Sequence, residues 1–236
     1  MPLQLPNILM VLRAECFSPN AVEKDAAILH AVGDCLSHCG RKVSYMNEEQ
    51  LSDHSVSRDD VGVVFSMARS EKALACLRHA EADGVLVINS TDSVHVCNSR
   101  HSVDELMRSN NIPTAPCYQG GAAWVKSDRG HQVSFAADEQ AVMMMSEKME
   151  NPVITSHVPG ESLKFYGVTG RFFYPSGHPT LQQTAERLAR LVDISVYGGD
   201  AILRPDGSFA IVDFNDWPSF SCCREKAAAA ISDLVM

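Results

Sequence analysis

Apolar positions in the first part of the chain come in two kinds: short unbroken runs, and longer stretches repeating at helical spacing. Asn7–Leu12 is a short, partly β-branched run, and Ile28, Leu29, Val32, Cys35, Leu36 and Cys39 then share one face of a helix. Asn20 with Glu23 predicts that helix's start through a capping-box-like pairing, and Gly40 predicts its end. Lys42–Met46 alternates like a strand, Val61–Met67 is a continuous β-branched run, Ser70 caps a helix through Asp83, and Val85–Asn89 is a further buried strand. The order β-α-β-β-α-β, with continuously apolar strands, predicts a parallel sheet covered on both faces, whose ligands meet the carboxyl ends of the strands. Arg13, Arg69 and Asn89 fall at those ends, either to grip an anionic substrate or as ordinary solvated polar groups.

Ser99–Asn110 is helical, and Asn110-Asn-Ile-Pro113 breaks it. The grammar then changes. Residues 122–126, 131–135, 152–158, 163–168 and 171–174 predict short strands, with a helix over Asp138–Met149, so an α+β region follows a boundary near residue 95. On that helix Met143-Met-Met145 fits core filling behind a hairpin. Helices over Thr180–Val192 and residues 223–234 complete the pattern.

Residues 198–220 contain two alternating strands around the turn signal Pro205-Asp206-Gly207. A loop of two or four residues places Asp200 directly opposite Asp213, with Cβ atoms ~4.5–5.5 Å apart, and Asn215 on the same side as Asp213. A three-residue loop would shift the register and break this geometry. Two carboxylates and an amide oxygen form a hard donor set suited to Mg²⁺, with Mn²⁺ as an alternative ion; the competing reading is a pair of solvent-facing acids on an edge hairpin. A magnesium hairpin implies a nucleotide, yet the chain has neither a Walker A pattern nor G-x-G-x-x-G after a strand. Lys126 and Lys164, each in a strand among apolar neighbours, are the phosphate-binding candidates, against simple snorkelling.

Composition narrows the partners. The 236 residues carry 20 Lys+Arg and 29 Asp+Glu, a formal charge of −9, so no nucleic-acid partner is expected, and no apolar run reaches membrane-span length. The start MPLQLPNILMVLRAE lacks a secretory pattern, which makes the cytoplasm the expected compartment, with the eight dispersed cysteines as reduced thiols. Cys35-Leu-Ser-His38-Cys39 has no second ligand pair and fits core packing better than a metal site.

The series Arg100, Ile112-Pro113, Trp124-Val-Lys126, Val153-Ile-Thr-Ser-His-Val-Pro-Gly160, Lys164-Phe-Tyr-Gly-Val168, Gly199-Asp200 and Asp213-Phe-Asn-Asp-Trp-Pro218 resembles the ATP-grasp superfamily over essentially the whole chain. Within it the arrangement is similar to the ribosomal-protein glutamate ligase group and to the inositol trisphosphate 5/6-kinase group. The resemblance implies a parallel-sheet N-terminal domain over residues 1–95, then an ATP-grasp region over 96–236 with antiparallel sheets. Its lid subdomain would cover about 113–158 and its metal-binding subdomain about 159–236. ATP and Mg²⁺ are the implied cofactors: Lys126 on the α/β-phosphates with Arg100 assisting, Lys164 near the transferring γ-phosphate, adenine on the backbone of Ser156 and Val158, Glu161 for the ribose, and Asp200, Asp213 and Asn215 for the metal. Asp213 stands where the family more often has Glu, which leaves one metal or two open, and the phosphate-covering loop Ser127–His131 is short.

The expected activity is ligation of a small-molecule or peptide carboxylate to an amine, or to a thiol, through an acyl phosphate. Phosphorylation of an alcohol and nucleotide binding without turnover are the alternatives. Arg13, Arg69, Trp217 and Ser219 are expected to border the acceptor pocket and Arg224, opening the last helix, to act on an anion there; a buried aromatic corner and a surface charge are the competing readings for Trp217 and Arg224. A homodimer is open as an assembly.

Overall fold

The computed structural model describes residues 7–17, 22–51 and 55–236. Its N-terminal layer runs β1 (Ile8–Leu12), α1 (Val22–His38), β2 (Val43–Asn47), α2 (Glu48–Leu51), β3 (Val63–Ser66), α3 (Glu71–Ala82) and β4 (Leu86–Ile88). The four strands form an all-parallel sheet in the order β2-β1-β3-β4. Strand alternation sorts β1 between two cores: Ile8 and Met10 pack with Ile28, Leu29, Val32 and Leu36 of α1, while Leu9 and Val11 pack with Ala73, Leu77 and Ala80 of α3. Ser70 caps α3 as expected, accepting the Ala73 N–H at 3.3 Å. The cap expected of Asn20 lies outside the described residues.

Two short helices were not legible in the periodicity: α2, and α4 (Thr91–Cys97), which runs across the expected boundary near residue 95. α5 (Arg100–Ser109) follows, capped by Ser99. Asn89, a candidate anion grip, is instead buried and spent on backbone: its amide donates to Val196 O at 2.8 Å and its oxygen accepts the Ser195 and Val196 N–H groups.

A three-stranded antiparallel sheet comes next, with β5 (Ala123–Ser127) between β6 (Val133–Ala136) and β7 (Pro152–Ser156), backed by α6 (Glu139–Ser146). Its core is small, built on Ala123, Val125, Ala136 and Val142. Met145 packs there, but Met143 and Met144 are 61% and 52% exposed, so core filling accounts for only one of the three methionines.

The third sheet has the order β11-β10-β8-β9, from β8 (Glu161–Val168), β9 (Arg171–Tyr174), β10 (Val196–Leu203) and β11 (Phe209–Asp216). Leu181, Ala185 and Leu188 of α7 (Pro179–Val192) pack against Phe165, Tyr197 and Phe214. The last helix, α8 (Arg224–Ser232), returns to the N-terminal layer. Its Ala227, Ala228, Ala230 and Ile231 join one core with α1, β1, Tyr166, Val196 and Trp217, so β1 and α8 share a core with the third sheet. No helix among the described residues is long and apolar enough to cross a membrane.

Candidate active site

The turn joining β10 to β11 has three residues, not two or four: Arg204 N–H donates to Ser208 O at 2.8 Å and Gly207 N–H to Arg204 O at 3.0 Å, around Pro205-Asp206-Gly207. Gly207 has φ of 81°, the left-handed position that this kind of hairpin gives to glycine. By itself such a turn would set Asp200 opposite Val212. A bulge intervenes: Ala201 pairs with Ile211 and Asp200 with Asp213, so Val212 is the extra residue and the opposed aspartates are restored.

On the other side of β10, Asp200 pairs with Lys164 of β8. Lys164, Asp200 and Asp213 therefore form one cross-strand row on one face of the sheet, with Lys164 Nζ 2.9 Å from Asp200 Oδ1. Burial works against the lysine's charge, but the hydrogen bond and the carboxylate of Asp200 outweigh it and raise its pKa above the ordinary value. The next row, Phe165–Gly199–Phe214, faces the opposite way. A Cβ on Gly199 would sit 2.1 Å from Asp213 O and 2.6 Å from Phe165 Cζ, so only glycine fits between that carbonyl and the Phe165 ring.

Two cavities meet at this row, and both are lined by Arg100, Lys164, Asp200 and Asp213. The larger, about 600 Å³, runs between the second and third sheets, with Ala115, Val158, Ile202 and Val212 on its walls and Lys126 among its polar groups. Lys126 Nζ donates to the carbonyl of the bulged Val212 at 2.6 Å, and burial holds its amine below the ordinary lysine value against the pull of Asp213. Ser156 and Val158 line this cavity too. The Ser156 N–H is committed to Pro116 O at 3.0 Å, which leaves its carbonyl as the backbone group for a ligand. Glu161 sits on the exposed start of β8 and lines neither cavity; the neighbouring Ser162 lines the larger one.

The second cavity, about 480 Å³, opens toward the N-terminal layer and is lined by Arg13, Arg69, Ser219 and the third-sheet residues Asn215 and Asp216. Arg13 and Arg69 converge on Asp216, whose side chain is fully buried. Burial, and then the charge of Arg69, hold the Arg13 guanidinium below its ordinary value despite Asp216 and Asp25. Trp217 borders this cavity but is only 1% exposed, with its ring edge-on to Phe65, so the buried-corner reading describes its side chain. Arg224 opens α8 and lines neither cavity.

Periodicity gave no hint of Glu48. This buried acid, at the start of α2, accepts the N–H groups of Ala14 at 3.0 Å, Arg69 at 2.9 Å and Ser70, tying together the loops after β1 and β3 that carry the two arginines. In the sequence it is only the first of two adjacent acids after an alternating strand, and nothing there marks it as buried. The short loop Ser127–His131 is pinned as well. Asp128 Oδ1 accepts from Ser99 Oγ at 2.9 Å and from the His101 N–H at 3.0 Å, and Arg100 Nη1 donates to Ser127 O and Gly130 O, both at 2.6 Å.

Asp200, Asp213 and Asn215 fit a hard divalent cation. They offer oxygen donors from two adjacent strands, all three line the second cavity, and Asn215 Nδ2 already holds Asp213 Oδ2 at 2.6 Å, fixing the carboxylate's direction. The set counts two acids and an amide; among the described residues no group of three or more His, Cys, Asp or Glu side chains is placed to hold a metal.

No protein-family model matches the sequence, and no curated protein does. Solved structures do match in shape. A RimK-domain ATP-grasp protein from Sphaerobacter thermophilus is 17% identical over 97% of this chain and 99% of its own, with a TM-score of 0.72. D-alanine–D-alanine ligase from Bacillus anthracis, complexed with ATP, is 12% identical over 96% of this chain and 92% of its own, with a TM-score of 0.73. The ATP-grasp ligase PsnB, complexed with a minimal precursor, is 14% identical over 98% and 99%, with a TM-score of 0.71. With its parallel N-terminal sheet followed by two antiparallel ones, this chain has the ATP-grasp fold.

Proposed function

We propose that this chain is an ATP- and Mg²⁺-dependent ligase that joins a carboxylate to an amine, releasing ADP and phosphate. The observation that carries the reading is the meeting of two cavities, of about 600 and 480 Å³, at the shared row of Lys164, Asp200 and Asp213. One cavity offers apolar walls and hinge backbone to a nucleotide base; the other offers arginines to an acid.

In this reading Ala115, Ile202 and Val212 sandwich the adenine, while the Ser156 carbonyl and the Val158 N–H meet its polar edge. Lys126 and Arg100 hold the phosphates behind the γ-phosphorus, and Lys164 neutralises charge on the group being transferred. Asp200, Asp213 and Asn215 would hold Mg²⁺, which when bound would supply charge neutralisation for the phosphoryl transfer. The substrate carboxylate oxygen attacks the γ-phosphorus, the bond to the β-bridging oxygen breaks, and ADP leaves an acyl phosphate behind. The amine nitrogen then attacks the acyl carbon, phosphate departs, and the nitrogen gives up a proton. The pinned loop Ser127–His131 keeps water from the acyl phosphate between these steps.

Incubation with ATP, Mg²⁺, a panel of carboxylates and hydroxylamine tests this reading. Ligation gives ADP, free phosphate and a hydroxamate. A stable phosphate ester instead would assign phosphorylation of an alcohol, and nucleotide binding without ADP across the panel would assign a binding protein.

A further inference from the structure

The second cavity offers more than a place for one reacting carboxylate. Arg69 Nη2 hydrogen-bonds Asp216 Oδ1, but Arg13 Nη2 stands 3.9 Å from Asp216 Oδ2, too far for a hydrogen bond. Arg13 Nη2, Arg69 Nε and Asp216 Oδ2 are buried without a hydrogen-bond partner among the protein groups. The arginine side chains keep 10% and 17% of their surface exposed, and both line the cavity. Lys24 adds a third cation on the same wall, and Asp25, 3.7 Å from Arg13 Nη1, adds a second acid beside Asp216. Glu48, on the backbone of Arg69, is a third acid acting on Arg13, so three cations and three acids share this corner.

We propose that Arg13 and Arg69 form a subsite for a second carboxylate of the substrate, separate from the carboxylate that is phosphorylated beside Lys164. The assignment rests on the ligase reading above and narrows its substrate to a dicarboxylic acid. Arg13 Nη2 and Arg69 Nε are donors without partners, and a planar carboxylate suits the fork of a guanidinium. The spacing of the two arginines is set in advance, because Glu48 holds the backbone next to Arg13 and that of Arg69 itself. Recognition therefore needs little reordering when the acid arrives.

The test uses the full chain with ATP, Mg²⁺ and hydroxylamine, and compares butyrate, glutarate and 4-phosphonobutyrate by ADP release. Binding of each acid without ATP is measured separately by calorimetry. Glutarate is expected to exceed butyrate at least tenfold in kcat/KM. Arg69→Lys, which keeps the charge and loses the fork, is expected to bring the ratio near one with the KM for ATP unchanged. Equal use of butyrate and glutarate, with ADP formed from both, overturns the subsite while the ligase reading stands. Glutarate binding that Arg69→Lys abolishes, with no ADP from any acid, upholds the subsite and overturns the ligase reading. A preference for the phosphonate overturns the carboxylate assignment, and neither binding nor ADP overturns both proposals.

Discussion

Asp200 faces Asp213 across the third sheet because two local irregularities offset each other: a three-residue turn that would shift the pairing by one, and a bulge at Val212 that shifts it back. The bulge also frees the Val212 carbonyl to receive Lys126 Nζ at 2.6 Å, so one irregularity positions both a carboxylate and a phosphate-binding amine. Asp213→Asn keeps the shape and removes the charge. Metal-dependent ADP release is expected to fall about 100-fold or more, with the unfolding midpoint nearly unchanged. Full Mg²⁺-dependent turnover in that variant would exclude Asp213 from the metal set.

The opposed aspartates could be reached from sequence by wrong intermediate steps, and the reason is instructive. Pro205-Asp206-Gly207 signals a turn but leaves its length open, and nothing in Phe209–Asp216 marks Val212 as a bulge. Long periodic elements such as α1, α3, α5 and α7 were legible because burial imposes their repeat. By contrast, α2 and α4 span only four and seven residues, too few for a repeat to emerge. Arg13, Arg69, Lys126 and Lys164 stood out as charges at strand ends or among apolar neighbours. Asn89 stood out too, but for the wrong role, and Glu48 not at all, because the partners of both are backbone groups brought close only by the tertiary fold.

Gly199 lies between Phe165 and Phe214, whose ring centroids are 6.2 Å apart. Gly199→Ala drives a methyl group into Asp213 O and the Phe165 ring, and neither can retreat within a packed sheet. A loss of about 3 kcal/mol is expected in urea unfolding. A loss under about 0.5 kcal/mol would mean that the strands separate more readily than this packing implies.

Lys126 is an amine held in a partly desolvated place. Replacing it with methionine removes a charge whose burial is unfavourable and keeps most of the packing volume. Lys126→Met is therefore expected to leave folding stability within about 1 kcal/mol of the parent while raising the KM for ATP at least tenfold. An unchanged KM for ATP would take Lys126 out of the nucleotide site.

Asp206 shapes the turn that presents the aspartates: its Oδ1 accepts the Ser208 N–H at 2.9 Å, and the hydrogen bonds from Ser208 hold its pKa below the ordinary carboxylate value of 3.8. A depressed carboxylate contributes stability above its ordinary pKa and loses that contribution as pH falls through the depressed one. The Ser208 amide resonance is expected to titrate with a midpoint below 3.8, and Asp206→Asn should abolish that titration. A midpoint at or above 3.8 would mean that the side chain does not hold the turn.

Glu48 tests whether the acid cavity is assembled in advance. One of its oxygens serves the Ala14 N–H and the other serves the Arg69 and Ser70 N–H groups, so both oxygens must act as acceptors. In Glu48→Gln one position becomes an NH₂ group facing a backbone donor, at a cost of about 2 kcal/mol. If the carboxylate sets the spacing of Arg13 and Arg69, the variant raises the KM for the acid substrate about tenfold while the KM for ATP stays constant, since the nucleotide cavity does not touch α2. Steady-state kinetics with each substrate varied in turn separates the possibilities. Loss of stability with both KM values unchanged would reduce Glu48 to a tie between loops, whereas an equal rise in both would show that the N-terminal layer and the nucleotide cavity are coupled through the shared row of Lys164, Asp200 and Asp213.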